Sequence, residues 1–213
     1  MAARAPAVFV VSMNGRDIVK SLARALATIV ALPALLSYAI RARLMGSDLA
    51  LEGSSQALAL LPGLTGQYIR RAFLAHVLAE CHHTATIEFG VIFSQAGCRI
   101  GPRAYVGPRC HLGLALIEAD VMLAAGVHVP SGAQTHGTED LDRPMRDQPG
   151  KRTPVRIGAG AWVGSTAVVM ADVGEHSIIG AGAVVTSPIP DRVIAAGVPA
   201  RVIRARDSQP RSA

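Results

Sequence analysis

The sequence predicts an all-β core, a parallel β-helix of hexapeptide repeats, with an α-helical extension at its N-terminus. Three observations predict it: a six-residue beat of aliphatic residues beyond His83, an uncharged apolar run over residues 25–40, and an amphipathic stretch between Pro62 and His83. The 213 residues suffice for one substantial domain and an appendage. Half of them are hydrophobic, 4% are aromatic and 17% are charged, which excludes ordinary disorder and suits a narrow interior filled repetitively. The chain divides into a helical region over 1–84, the β-helix over 85–206 with a loop excursion at 135–156, and a flexible tail at 207–213.

Residues 1–15 carry no pattern and read as a loose terminus. "ALATIVALPALLSYAI", residues 25–40, follows Arg24 and precedes Arg41 and Arg43. It is shorter than the roughly 20 residues a spanning helix needs, and Pro33 breaks it. It also begins too late for a signal peptide. Two readings stand: a helix lying on a membrane with its arginines reaching to the headgroups, or one packed on the main domain or a partner subunit. After a Gly/Ser break at Gly53–Ser55, "LPGLTGQYIRRAFLAHVLAECHH" has Thr65 as N-cap and Ile69, Phe73 and Val77 on one helical face. Leu74 and Leu78 flank that face, and Arg70, Arg71 and Glu80 point elsewhere. Such a helix covers one end of the core.

Aliphatic residues then open units at Ile100, Val106 and Leu112, and after a five-residue step at Ile117, Leu123 and Val129. Beyond a polar interruption the beat resumes at Ile157 and Val163, then at Val173 and Ile179. A period of six with a small residue after the aliphatic one matches neither helical nor strand amphipathicity. It is the pattern of a hexapeptide β-helix, in which the aliphatic residues stack inward and the small ones let the chain turn. A Gly/Val-rich β-sandwich would not hold that phase. Only the end coils leave open edges to be covered.

The ordered set "WVGS", "IGAGAVVT" and "AGVPARVIR" within residues 161–206 resembles the hexapeptide-repeat acetyltransferases. The likeness is to the branch acting on sugars and polysaccharides, such as the galactoside, maltose and colanic-acid-type acetyltransferases, and it covers residues 86–204. It implies a left-handed β-helix, a homotrimer, and acetyl-CoA bound between adjacent subunits, with no metal. It also implies transfer of acetyl to a saccharide hydroxyl, and the apolar run over 25–40 adds the expectation of a glycan precursor assembled at the cytoplasmic face of the membrane.

That chemistry requires a base for the hydroxyl proton, donors for the oxyanion and alignment of two substrates. Seven histidines compete for the first role. His76, His82, His83 and His176 read as surface residues, and His128 ends the unit "LAAGVH", also facing outward. His136 follows the last ordered hexad at the mouth of the interruption. The resemblance makes it the catalytic base, with His128 as the lesser candidate. Relatives place an acceptor-site asparagine on the preceding coil; this chain has only Asn14, and His111 or Cys110 stands in its place. Asp140 and Asp142 either orient a histidine and bind sugar hydroxyls or are solvated loop acids. By the same resemblance, Trp162 lies near the reacting end of CoA, or else packs on a coil. Ser165, Ala181 and Thr186 meet the pantetheine arm, and Arg201 and Arg204 meet the nucleotide phosphates. Ser187 replaces a lysine common in the family, which removes a phosphate contact. "VVMADVG" is two residues shorter than usual, so one coil is truncated.

The net charge of +6 admits nucleic acid, anionic lipid or a phosphorylated ligand as partner. No nucleic-acid motif with spaced aromatics appears. Cys81, Cys98 and Cys110 have no CxxC pattern and read as reduced thiols, the last two as core fillers. Two rivals share the β-helix: a catalytically silent scaffold, and a γ-type carbonic anhydrase, which needs three histidines around one zinc.

Overall fold

The computed structural model describes residues 15–206. The tail at 207–213 and the predicted loose terminus, apart from Gly15, lie outside that range. Three helices come first: α1 (Gly15–Met45), α2 (Ser47–Ala59) and α3 (Gly63–Val77). The first coil then contributes β1 (Glu80–Cys81), β2 (Thr86–Ile87) and β3 (Ile92–Phe93), and the second β4 (Arg99–Ile100), β5 (Tyr105–Val106) and β6 (His111–Leu112). The third holds β7 (Ala115–Ile117), β8 (Met122–Leu123) and β9 (His128–Val129), and the fourth β10 (Val155–Ile157), β11 (Trp162–Val163) and β12 (Val168–Val169). β13 (Ile178–Ile179) and β14 (Val184–Val185) complete the fifth, and β15 (Val193–Ala196) and β16 (Arg201–Ala205) end the chain.

Corresponding strands of successive coils pair in parallel, giving three faces. Face A runs β1-β4-β7-β10, face B runs from β2 through β5, β8, β11, β13 and β15 to β16, and face C runs β3-β6-β9-β12-β14. Among the described residues only the β15–β16 pair is antiparallel. The result is a parallel β-solenoid of about six turns. The aliphatic residue of each hexad lies inside: Ile87, Val106, Leu123, Val163 and Ile179 stack up face B, all buried. Each such side chain contributes ~1.5–3 kcal/mol of burial.

The small residue of the hexad serves stacking more than turning. A Cβ on Gly164 would stand 2.5 Å from the backbone nitrogen of Ala181 on the next coil, so the chain there admits only glycine. The left-handed turning positions are often other residues, among them Arg103, Arg109, Asp120 and Thr166. The five-residue step from Leu112 shortens one turn, so Ile100 pairs with Ile117. The truncation in "VVMADVG" leaves face A of the fifth coil as isolated bridges from Val173 to Ile157 and to Ile189.

The helical region departs from several expectations. Pro33 lies inside α1 and does not break it. The inner face of α1 packs on its neighbours, with Tyr38 edge-on to Phe73 at 5.9 Å, which holds the two halves together. Gly53–Ser55 is interior to α2, because Ser54 and Ser55 satisfy their hydroxyls on the backbone carbonyls of Ala50 and Glu52. α3 begins at Gly63 after Pro62, with no side-chain cap and no role for Thr65. Arg70 does not point to solvent. It is 2% exposed, and its guanidinium donates to the carbonyls of Leu58 and Leu61 at the end of α2 and of Ile87 on the first coil.

That burial has a clear cause, since a helix C-terminus and a solenoid edge both leave carbonyls without partners. Arg71 donates to the carbonyl of Ala85, Ser55 exchanges hydrogen bonds with both backbone groups of Phe93, and Gly90 N donates to the carbonyl of Ala59. α2 and α3 together therefore close the edge of the first coil, and α1 packs outside them.

Candidate active site

His111 and His128 occupy the same outward place on β6 and β9. They are register partners on adjacent coils, and their rings stack with centroids 5.1 Å apart and planes 5° from parallel. The pairing follows from the shortened coil, which brings residues seventeen apart into line. Burial, and secondarily the neighbouring His111, hold the His128 imidazole below its ordinary value of 6.5, so it is neutral near pH 7.

The chain leaves face C after β9 and returns at β10. Its two limbs are tied at the root, where Thr153 N donates to the carbonyl of Ser131 at 2.8 Å and Lys151 N to that of Gln134 at 2.7 Å. Ser131, nearly buried, accepts from Leu114 N at 3.0 Å and fixes the corner below. Thr135 and His136 come next, beside this root. Gly150 of the returning limb lies directly on their peptide.

His136 lines two cavities. One, of about 480 Å³, runs over face C, with His111 and His128 on its floor and Asp48, Glu52 and Arg152 along its sides. The other, of about 470 Å³, lies within the excursion and is lined by Asp140, Arg143, Gln148 and Lys151. An imidazole at the junction, with the stacked imidazoles of His111 and His128 and two carboxylates lining the same groove, can take a proton from a bound hydroxyl.

The other predicted residues divide plainly. Asp140 accepts at its carboxylate from Asp142 N at 3.0 Å, and Asp142 itself is exposed and lines neither cavity. Cys110 faces the core: it is buried, its thiol approaches the Ala124 carbonyl at 3.1 Å, and burial pushes it up to about 11. An acceptor cannot reach it, and of the pair only His111 is on the groove. Trp162 stands half-exposed on face B between Met122 and Ile178. Ser165 and Ala181 are at the corner between faces B and C on successive coils, where Gly182 N donates to the Ser165 carbonyl at 2.8 Å. Arg201 and Arg204 lie exposed on β16 at the end of face B, and Thr186 is at the far corner of face C. The structure thus gathers His136 and His111 in one groove and sets Trp162 and both arginines on another face.

Sequence reasoning missed three contributors and one pairing. His128 was expected to face outward and to be the lesser candidate for the base; seventeen residues is one six-six-five turn, so its stacking on His111 was within reach. Asp48 and Glu52 carry no sequence signal, because they arrive through α2; Asp48 is placed by accepting from Ala96 N at 2.9 Å. Gln148 is buried in the excursion, where it donates to the carbonyls of Asp140 (2.6 Å) and Arg143 (2.8 Å) and accepts from Asp140 N (3.1 Å).

A Saccharomyces cerevisiae protein assigned to the acetyltransferases is 31% identical over 138 residues, 61% of this chain and 69% of that protein. The chain belongs to the hexapeptide-repeat, left-handed β-helix acetyltransferases. No family model matches it. The galactoside O-acetyltransferase of Escherichia coli K12 is 53% identical over 53 residues, 24% of this chain and 26% of that enzyme. The serine acetyltransferase of Haemophilus influenzae is 34% identical over 125 residues, 58% of this chain and 38% of that enzyme. The matched stretches thus span well under half of these two relatives' length. Among solved structures, a maltose O-acetyltransferase from Clostridium difficile superposes with a TM-score of 0.60 at 21% identity, covering 74% of this chain and 87% of its own. A galactoside acetyltransferase in complex with coenzyme A superposes with a TM-score of 0.58 at 24% identity, covering 78% and 87%. Both likenesses are of fold.

Proposed function

We propose that this chain is an acetyl-CoA-dependent O-acetyltransferase acting on a saccharide hydroxyl, with His136 as general base. The observation that carries it is the junction position of His136, at the tied root of the excursion and on the wall of the groove floored by His111 and His128. In this reading His136 takes the acceptor's hydroxyl proton as the oxygen attacks the thioester carbonyl. The new C–O bond gives a tetrahedral oxyanion, which collapses with cleavage of the C–S bond. The proton held on the imidazolium passes to the departing thiolate. His111 and His128 offer a flat floor for a sugar ring, and Asp48, Glu52 and Asp140 offer acceptors to its hydroxyls.

Coenzyme A is assigned to Trp162, Ser165, Ala181, Thr186, Arg201 and Arg204. The arginines fit: both are exposed, and Arg201 Nη1 bonds only to the neighbouring carbonyl of Ala200, leaving its charge available to phosphate. Because Trp162, Arg201 and Arg204 lie on face B while His136 stands at the groove over face C, a second copy would bring its face B to the groove. That supports a homotrimer with acetyl-CoA between adjacent subunits. The protein acts in the cytoplasm, with peripheral membrane contact through residues 24–43. The zinc alternative is disfavoured by geometry: lone pairs of two parallel stacked imidazoles cannot converge on one ion, and no group of three metal-holding residues occurs among the described residues.

The test is acetyl transfer from acetyl-CoA to a panel of galactosides, the acceptor class in the name of one relative. His136→Ala should lower kcat by ~10²–10⁴-fold and leave coenzyme A affinity unchanged. An unaffected rate refutes the base assignment, and failure of the wild-type chain to bind coenzyme A favours the scaffold reading.

A further inference from the structure

The outward face of α1 takes no part in the solenoid or the groove. Its inner face is packed against α2 and α3, with Ala27 and Ala31 buried. On the other side Leu22, Leu26, Ile29, Leu36, Ile40 and Leu44 recur at three- and four-residue spacings, with one seven-residue step across Pro33, and are 52–78% exposed. The strip extends ~33 Å at 1.5 Å per residue. Between Leu22 and Ile40 its single exposed polar side chain is Ser37. From Ile18 to Ser47 the chain has four basic residues and no acidic one. Two of the four turn inward: Arg41 donates to Ser54 at 2.7 Å, and Arg24 Nε is buried. Lys20 and Arg43 remain exposed, one towards each end of the strip.

This helix is long and apolar enough to cross a membrane by length and composition. Its packing opposes that, because a spanning α1 would draw the Glu52, Arg70 and Arg71 of its neighbours into hydrocarbon. An interface with another protein of this extent carries hydrogen-bonding groups at its rim, and this strip has almost none. An apolar middle with basic ends, and no acid between Lys20 and Arg43, complements an anionic lipid surface.

The strip is also placed to matter for the groove. α1 is the outermost layer at the N-terminal end of the solenoid, and α2 starts two residues after it ends. Leu44 and Leu49 are both well exposed across that junction, and Leu49, Asp48 and Glu52 line the groove. His111 and His128 sit one and two coil steps, ~5 and ~10 Å, above the first coil. In a cyclic assembly with its axis along the solenoid, every α1 faces the same side.

We propose that α1 seats the N-terminal end of the solenoid in the headgroup region of an anionic bilayer, so that the groove takes its saccharide from a lipid carrier. The second clause rests on the acetyltransferase reading; the seat does not. The full chain is floated with phosphatidylglycerol/phosphatidylethanolamine vesicles, alongside an Ile29→Glu/Leu36→Glu variant whose circular dichroism and melting match wild type. The variant should lose at least tenfold in partition. Acetyl transfer is then compared between hexadecyl galactoside in those vesicles and methyl galactoside in solution. Wild type should favour the vesicle-borne sugar at least tenfold, and the variant should lose that preference while keeping its rate on the soluble one. Wild type that does not float, with a variant that falls to a smaller assembly, makes the strip an interface between copies and overturns the seat. Flotation with equal rates on the two galactosides overturns the lipid carrier. Flotation with transfer to neither overturns the carrier and the galactoside acceptor together and leaves the seat established.

Discussion

Replacing Gly150 by alanine tests the placement of His136 without touching its imidazole. A Cβ at Gly150 would stand 2.0 Å from the Thr135 carbonyl oxygen, 2.3 Å from its carbon and 2.6 Å from His136 N, against a floor of 3.0 Å for real Cβ contacts. The limbs must therefore part by at least 1.0 Å, and all three colliding atoms are backbone, so no rotamer change relieves them. The Lys151–Gln134 and Thr153–Ser131 hydrogen bonds hold the returning limb to the solenoid, which directs the shift onto Thr135–His136. A misplacement of 1 Å at a catalytic group costs about 10²-fold in rate, or ~2.7 kcal/mol of activation free energy.

The expected result for Gly150→Ala is thus a kcat lowered about 100-fold in acetyl transfer from acetyl-CoA. Coenzyme A affinity should stay within about twofold, because its assigned residues lie on other coils. The solenoid core is not involved, so melting should move by only ~2–4 °C, equivalent to ~1 kcal/mol for a domain of this size. A kcat within threefold of wild type would refute the reasoning, since it would show either that the limbs part without moving His136 or that His136 is not the base.

Four further outcomes are expected. Gln148→Ala removes three hydrogen bonds inside the excursion, worth ~2–3 kcal/mol, and should speed tryptic cleavage after Arg143 and Arg146 by at least tenfold with little change in melting; unchanged cleavage would count against Gln148 as the brace. Arg70→Ala strands the carbonyls of Leu58, Leu61 and Ile87 at a sealed edge and should cost ~3–5 kcal/mol in denaturant unfolding, whereas a loss under 1 kcal/mol would show water replacing it. The depressed His128 means that the unfolded chain takes up its proton first as pH falls; stability is full above 6.5 and declines below it, and His128→Asn should flatten the melting profile between pH 7 and 5 relative to wild type. Burial holds Cys81 and Cys98 near 12 and Cys110 near 11, so an aromatic disulfide reagent at pH 8 should label none of them until the chain unfolds.

The solenoid was legible because each inward position repeats one requirement, an aliphatic side chain over the same place on the next coil. The β-helix is placed from residue 85, but its six-residue beat is countable only from Ile100, one coil later. Cys81 stands where an aliphatic residue would mark the first unit, and seven residues rather than six separate Phe93 from Ile100, which hides Ile87 and Phe93 in a broken phase. The burial of Arg70 is illegible for a related reason: amphipathic periodicity sets a guanidinium off the apolar face, but it carries no account of the unpaired carbonyls that a helix end and a coil edge present together. The groove shows the same division. His136 could be located by the break in the beat, and the His111–His128 stack by adding unit lengths around one turn. Asp48 and Glu52 could not, because they reach the groove only once α2 has folded back along α1 and accepted Ala96 N, a contact across 48 residues. What a repeat encodes locally is readable in one dimension; what closes its open end depends on orphaned hydrogen-bonding groups, and these exist only after the coils have formed.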